Sequence, residues 1–161
     1  MSWGHYLFSF KGRINRARYW FFILAAFIFY AAGIVIALPY IFLEHRSTAD
    51  AGHAISALGI ATICAEVVVV IALLVSVFAV YVKRLHDRDK GAWWIIPFSV
   101  IPSVLNAMTD ARLPTHIQMP ILVAVVLALI SAGFSIWGFV EIGCLRGTAG
   151  PNRFGEDPLS I

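Results

Sequence analysis

Charge is what this chain has least of. Asp and Glu number 9 and Lys and Arg 12 among 161 residues, so 13% of the side chains are charged while 60% are hydrophobic. An ordinary soluble domain carries about a quarter charged residues, and that balance excludes one of this length. The mean hydropathy of +0.84 points the same way: the solvent is lipid. Cysteine is almost missing too, and two residues, Cys64 and Cys144, cannot build a disulfide framework. They fall at depths that differ by roughly 25 Å, beyond the ~7 Å Cα limit for a bridge, so both are expected as free thiols in helix packing. No Gly-rich phosphate loop, no His-Glu-x-x-His and no zinc-type Cys or His spacing occurs. His5, His45, His53 and His116 are scattered, so neither a metal nor a cofactor is expected. A pI near 9.1 does not indicate nucleic acid, because the cations sit beside apolar runs rather than along a polar face.

What is present instead is four long stretches almost free of charge, at about 19–43, 54–82, 93–108 and 117–145. A hydrocarbon core of ~30 Å takes about 20 helical residues to cross. The first stretch follows Lys11, Arg13, Arg16 and Arg18 and opens with Tyr19 and Trp20, the cation-then-aromatic order of a headgroup boundary. It begins too late and runs too long for a signal-peptide core of about 7–15 residues, so it is expected to stay in the mature protein. Ahead of it, Trp3, Tyr6, Leu7, Phe8 and Phe10 form an aromatic segment too short to cross, expected to rest in the interface. Residues 44–53 read as a polar loop. The second stretch carries Glu66 as its only charge, ends in Lys83-Arg84-Leu85-His86, and is long enough to require tilt or protrusion. The third is short and interrupted by Pro97 and Pro102, so it is expected to kink or re-enter. The fourth opens with Pro120, tolerated in a first turn, and the Gly- and Pro-rich tail at 146–161 reads as ordered turns.

If all four cross, every Lys and Arg except Arg46 and Arg112 lies on one side. The positive-inside rule makes that side the cytoplasm, with both termini on it, whereas three spans would strand the last cations outside. The expected fold class is therefore all-α, a single membrane domain over 1–161 built as a bundle of four transmembrane helices. Small residues recur at Ala57, Ala61 and Ala65 and at Ala124, Ala128 and Ala132, a spacing that lets helices approach closely in lipid. Spans two and four are expected to pack there; a homodimer through one stripe is the alternative.

Three polar motifs punctuate the spans. They are Phe10-Lys11-Gly12-Arg13-Ile14-Asn15-Arg16 with Tyr19-Trp20, Lys83-Arg84-Leu85-His86-Asp87 with Trp93-Trp94, and Gly150-Pro151-Asn152-Arg153-Phe154-Gly155-Glu156-Asp157-Pro158. In this order they resemble the small bacterial inner-membrane family of domain of unknown function 805, which includes the YhaH-like proteins. The resemblance covers essentially the whole chain and implies an integral inner-membrane protein, with no agreed activity to carry over. Two departures are visible: Asp89 stands where the family usually has glycine, and Phe154 where it usually has tyrosine.

Under the four-span topology the three motifs share the cytoplasmic face. A cluster of Arg13, Asn15, Arg16, Arg84, His86, Asp87, Asn152, Arg153 and Asp157 holds paired charges plus surplus cations, suited to anionic lipid headgroups or a phosphate ligand. The alternative is that Arg–Asp pairs, such as Arg16 with Asp87, simply tie helix ends together. His86-Asp87 is a poor general-base unit, because neighbours on a helix point about 100° apart and no nucleophile lies close. A cation at a helix C-terminus gives His86 a structural reason to be there, and the chain is not read as an enzyme. Glu66 is costly inside a span and marks a pathway or a polar partner. Asn106, Ser131 and Ser135 lie at similar height, and an interhelical hydrogen bond to them is expected; a proton or cation relay, in a small channel or transporter subunit, is the alternative. The reading is a non-enzymatic binding module whose partners are membrane lipids, anionic headgroups, a partner membrane protein or a second copy, and not nucleic acid.

Overall fold

The structure, a computed structural model, describes residues 3–51, 57–109 and 120–159, the side chains at 37, 39–41, 43–51, 57 and 58 aside. Among them there is no strand. The helices are α1 (Trp3–Phe8), α2 (Arg16–Ala51), α3 (Ala57–Asp87), α4 (Ile101–Thr109) and α5 (Ile121–Phe139). Among the described residues four helical stretches are long and apolar enough to cross a membrane: Arg16–Ile36, Gly59–Asp87, Ala92–Thr109 and Ile121–Cys144. Their side chains face outward, with Phe27 68%, Ile36 77% and Ile121 83% exposed. Water would penalise that apolar area by about 25 cal/mol per Å², and lipid does not, so the chain is an all-α membrane protein.

One expectation fails at the end of the first span. Residues 44–51, expected to open a loop, are helical instead, because α2 continues to Ala51, and residues 52 and 53 lie outside the described residues. Polar residues end a hydrocarbon crossing without ending a helix, and 44–51 contain neither glycine nor proline. Residues 54–56 and 117–119 of the expected second and fourth spans, with His53, Arg112 and His116, lie outside the described residues.

The chain divides into two compact units, one of Met1–Ser9 with Trp20–Val80 and the other of Phe10–Tyr19 with Tyr81–Ile161. In the first, the Tyr6 and Phe22 rings meet edge-on with centroids 6.2 Å apart, which ties α1 to the apolar part of α2. Ala61 and Ala65 belong to this unit and Ala124, Ala128 and Ala132 to the other, so each stripe is described only within its own unit.

In the second unit the third span is helical throughout but changes pitch twice. A 3₁₀ turn at Ala92–Trp94 and a π turn at Ile96–Val100 precede α4. Pro97 and Pro102 lack amide hydrogens, so the regular ladder cannot run through them. The Ile101 N–H reaches five residues back to the Ile96 carbonyl, which is the π pattern. Phe98 from this turn packs with Leu85 and Ile142 in a buried apolar core, against which Tyr19, Tyr81, Trp94 and Ile95 lie. The Phe98 ring meets Trp137 at 5.0 Å and Trp94 at 5.5 Å. Gly138 permits this approach, since a Cβ there would fall 2.9 Å from the Phe98 Cβ. A second π turn, Val140–Cys144, closes α5, with the Leu145 N–H donating to the Val140 carbonyl at 3.0 Å.

Candidate functional site

The polar end of the second unit is built around three buried charges. Asp87, in the last turn of α3, is 2% exposed, Arg84 one turn before it is 0% and Arg13 is 6%. Arg13 donates Nε and Nη2 to Asp87 Oδ1 at 3.2 and 3.1 Å, while Arg84 Nη1 donates to Asp87 Oδ2. Further guanidinium hydrogens go to carbonyls. Arg13 reaches Gly150 at 2.7 Å, Gly155 at 3.3 Å and Thr148 at 2.6 Å, and Arg84 reaches Ile142 at 2.7 Å and also Leu145. A buried ion group repays its desolvation only when geometry and additional hydrogen bonds are both in place, and here both are.

Local sequence explains why these partners meet. Asn15 caps α2 by accepting the Arg18 N–H on Oδ1 at 2.9 Å, which fixes the direction in which the preceding Arg13 leaves the helix. The π turn at Val140–Cys144 aims carbonyls sideways: Ile142 and Leu145 receive Arg84, and Cys144 receives Arg16 Nη1 at 3.1 Å. After α3, Lys90 N–H bonds the Leu85 carbonyl and Asp89 N–H the His86 carbonyl, the double bond of a Schellman end. Its left-handed position is held by Asp89 at φ 55°, the residue that stands where the resemblance expects glycine. Asp89 also pairs with Arg153 at 3.1 Å and accepts from it on its carbonyl at 2.6 Å.

The tail is threaded into this frame. Thr148 N–H donates to the Asp87 carbonyl at 2.8 Å, and Asn152 Nδ2 donates to the His86 carbonyl at 2.9 Å. Asn152 and Gly155 exchange backbone hydrogen bonds at 3.0 and 3.1 Å, with Gly155 at φ 137°, a conformation closed to most side chains. Gly147 lies against this lock of Asp87 with Arg13 and Arg84, where a Cβ would collide with the Asp87 carboxylate. Asp157 accepts from the Leu159 N–H at 2.9 Å and the Gly150 N–H at 3.0 Å, and these bonds hold its carboxyl below the usual carboxylate range. The hydroxyl lost at Phe154 is not needed for its role here, since its ring stacks on His86 at 3.9 Å and 5°.

The expected cluster thus assembles in detail within one unit, with different pairings. Asp87 takes Arg13 and Arg84 rather than Arg16. His86 and Asp87 diverge: His86 Nδ1 donates to the Gly12 carbonyl at 3.2 Å, while Asp87 faces the arginines. Of the intramembrane group, Ser131 donates to Asn106 Oδ1 at 2.8 Å, whereas Ser135 is exposed. Glu66 belongs to the first unit, is exposed on α3, and has no hydrogen bond or ion pair among the described residues. Sequence reasoning missed Glu141, only 8% exposed and paired with Arg88 at 3.0 Å and Lys90 at 3.7 Å. A carboxylate in the last turn of an apolar run, level with the cations of a neighbouring loop, was the available signal.

Beside the lock lies a pocket of about 240 Å³, lined by the 15–17 turn, Asp87, residues 146–148 and residues 157–159. Arg16 and Arg146 are both exposed at it, and the Arg146 guanidinium makes no hydrogen bond among the described residues. No grouping of His, Cys, Asp and Glu able to hold a metal occurs among the described residues.

Comparison with known proteins gives the family. The family described as "Protein of unknown function (DUF805)" matches residues 7–156. The chain is 30% identical along its whole length to YiiR of Escherichia coli K12, described as uncharacterized, covering 93% of that protein. It is 28% identical to YhaH of the same strain, described as an inner membrane protein, over 93% of this chain and 87% of YhaH. No solved structure matches. The matched region carries every residue of the polar cluster except Asp157, and the chain belongs to the DUF805 family of membrane proteins.

Proposed function

We propose that the chain is a non-enzymatic module of the bacterial inner membrane, with cytoplasmic termini, that binds lipid headgroups through the polar end of its second unit. The sidedness follows from the cation count, in which only Arg46 and Arg112 fall outside the cytoplasmic segments. The observation that carries the binding reading is the division of labour among the arginines. Arg13 and Arg84 are consumed inside the frame, while Arg16 and Arg146 stand exposed at a pocket whose wall that frame makes rigid. A rigid wall lowers the ordering cost of binding, and exposed guanidinium is suited to phosphate.

The test is extraction of full-length protein from bacterial membranes into native lipid discs, with bound lipid and protein quantified by mass spectrometry. Beside it runs the double variant Arg16→Gln, Arg146→Gln. At least one bound lipid class should fall about tenfold in the variant, the loss expected for charge-assisted contacts. Identical composition in the two samples would refute headgroup binding, and a protein lost in place of a lipid would replace it with a partner-protein reading.

Glu66 supports a second reading, a small channel or transporter subunit, because an exposed carboxylate on an apolar span lacks a partner among the described residues. Proton or cation flux into proteoliposomes that Glu66→Gln abolishes would establish it. A parent protein without flux removes it.

A further inference from the structure

Resting on the headgroup reading, we propose that the pocket takes a doubly charged phosphate monoester, the chemistry of a phosphatidate headgroup or of a soluble glycerol phosphate. Both carboxylates that border the pocket are already answered. Asp87 is paired with Arg13 and Arg84. Asp157 accepts the Leu159 and Gly150 N–H groups and is attracted by Arg13 and Arg146. A ligand amine therefore finds no open carboxylate there. Around these two carboxylates stand four guanidinium groups, those of Arg13, Arg16, Arg84 and Arg146, so two positive charges are in excess. The whole unit leans the same way, with more Lys and Arg than Asp and Glu among its described residues. A monoester, with a charge of about −1.5 to −2 at pH 7, balances that excess, and a singly charged diester leaves much of it unanswered.

The donors call for the same ligand. Arg16 uses one guanidinium hydrogen on the Cys144 carbonyl at 3.1 Å, which fixes its plane and leaves four N–H donors. Arg146, exposed and without a hydrogen bond from its side chain among the described residues, supplies a second planar fork. Asn15 accepts the Arg18 N–H on Oδ1, so its own amide hydrogens remain for the pocket that it lines. Two forks that each grip a pair of oxygens need three terminal oxygens, one of them shared. A phosphate monoester has three, and a diester has two.

Size and position agree. The 240 Å³ of the pocket is below the roughly 300–1,000 Å³ of sites for drug-sized ligands, which suits a phosphate joined to a glycerol. It opens where the first span begins, at 15–17, and just past the end of the fourth, at Arg146, which is the depth of the headgroups. Ala17 and Leu159 add apolar lining of the kind a glycerol backbone would cover.

The experiment is native mass spectrometry of the delipidated full chain, titrated with short-chain phosphatidic acid, phosphatidylglycerol of the same acyl length, and soluble glycerol 3-phosphate. Phosphatidic acid should bind about tenfold more tightly than phosphatidylglycerol, the worth of one further charge-assisted hydrogen bond. Arg146→Gln should weaken phosphatidic acid about tenfold and so bring the two lipids together. Lys11→Gln, which removes an exposed cation outside the lining, should change it by less than about twofold. Equal binding of the two lipids by the parent protein, a comparison that needs no variant, overturns the monoester assignment while general headgroup binding survives. A loss in Lys11→Gln as large as that in Arg146→Gln overturns the pocket in favour of a diffuse basic surface. Binding of none of the three probes overturns this proposal and the headgroup reading together. Glycerol 3-phosphate binding as tightly as the lipid would support the chemistry and assign its source to a soluble monoester.

Discussion

Asp87 holds two buried guanidinium groups and is itself only 2% exposed, and its removal is expected to have a larger effect than removal of a surface charge. Asp87→Asn leaves Arg13 and Arg84 buried without a counter-charge and is expected to cost about 3–5 kcal/mol, read as a large fall in thermal unfolding temperature in detergent. An unfolding temperature within a few degrees of the parent would show that the lock is not what holds the tail. Asp89 is the opposite case. Its left-handed backbone costs less than the 1–2 kcal/mol of an ordinary residue, and its pair with Arg153, side chains 62% and 47% exposed, is worth about 0–1 kcal/mol. The two nearly cancel, so Asp89→Gly should change stability by less than about 1 kcal/mol. Membership of the cluster was legible in sequence, because polar residues flanking apolar runs in lipid have one common place to go. The pairing was not, since choosing Arg13 over Arg16 depends on the Asn15 cap and on carbonyls turned out by a π turn, and neither has a sequence period.

The helices show the same division at the next scale. Four apolar runs declare four helical stretches through length alone, whereas the far end of α2 was hidden because a polar sequence ends a crossing without breaking a helix. The prolines of the third span announced irregularity, and its form, a 3₁₀ turn followed by a π turn, reflects which amide reaches which carbonyl. Contact between α5 and the second of these turns rests on Gly138. Gly138→Ala would force a methyl against Phe98 and is expected to cost about 1–3 kcal/mol, measurable as lowered thermal stability; a neutral outcome would mean that this contact relaxes freely. The tail answers to pH. Asp157 has a depressed pKa, so the stability it gives is fully present above its ordinary value of 3.8 and is lost as pH falls through the depressed one. Hydrogen exchange at Gly150 and Leu159 should accelerate below about pH 4 in the parent. Asp157→Asn should remove that dependence, and a variant that still shows it would assign the transition to other acids.

For the whole molecule, the functional proposals depend on which side of the bilayer each segment reaches. The three polar motifs form one folded end whatever the membrane does, but they meet cytoplasmic ligands only if the chain crosses an even number of times and starts inside. The cations argue for this orientation, and family membership agrees with a membrane protein without assigning a side. Single cysteines report it directly. In a chain carrying Cys64→Ser and Cys144→Ser, Lys11→Cys, Ala149→Cys and Ser47→Cys are to be treated one at a time, in intact cells, with a membrane-impermeant maleimide. Ser47→Cys should label without permeabilisation, while Lys11→Cys and Ala149→Cys should label only after it. Labelling of Ala149→Cys from outside would put the tail and its pocket on the wrong face and contradict the account.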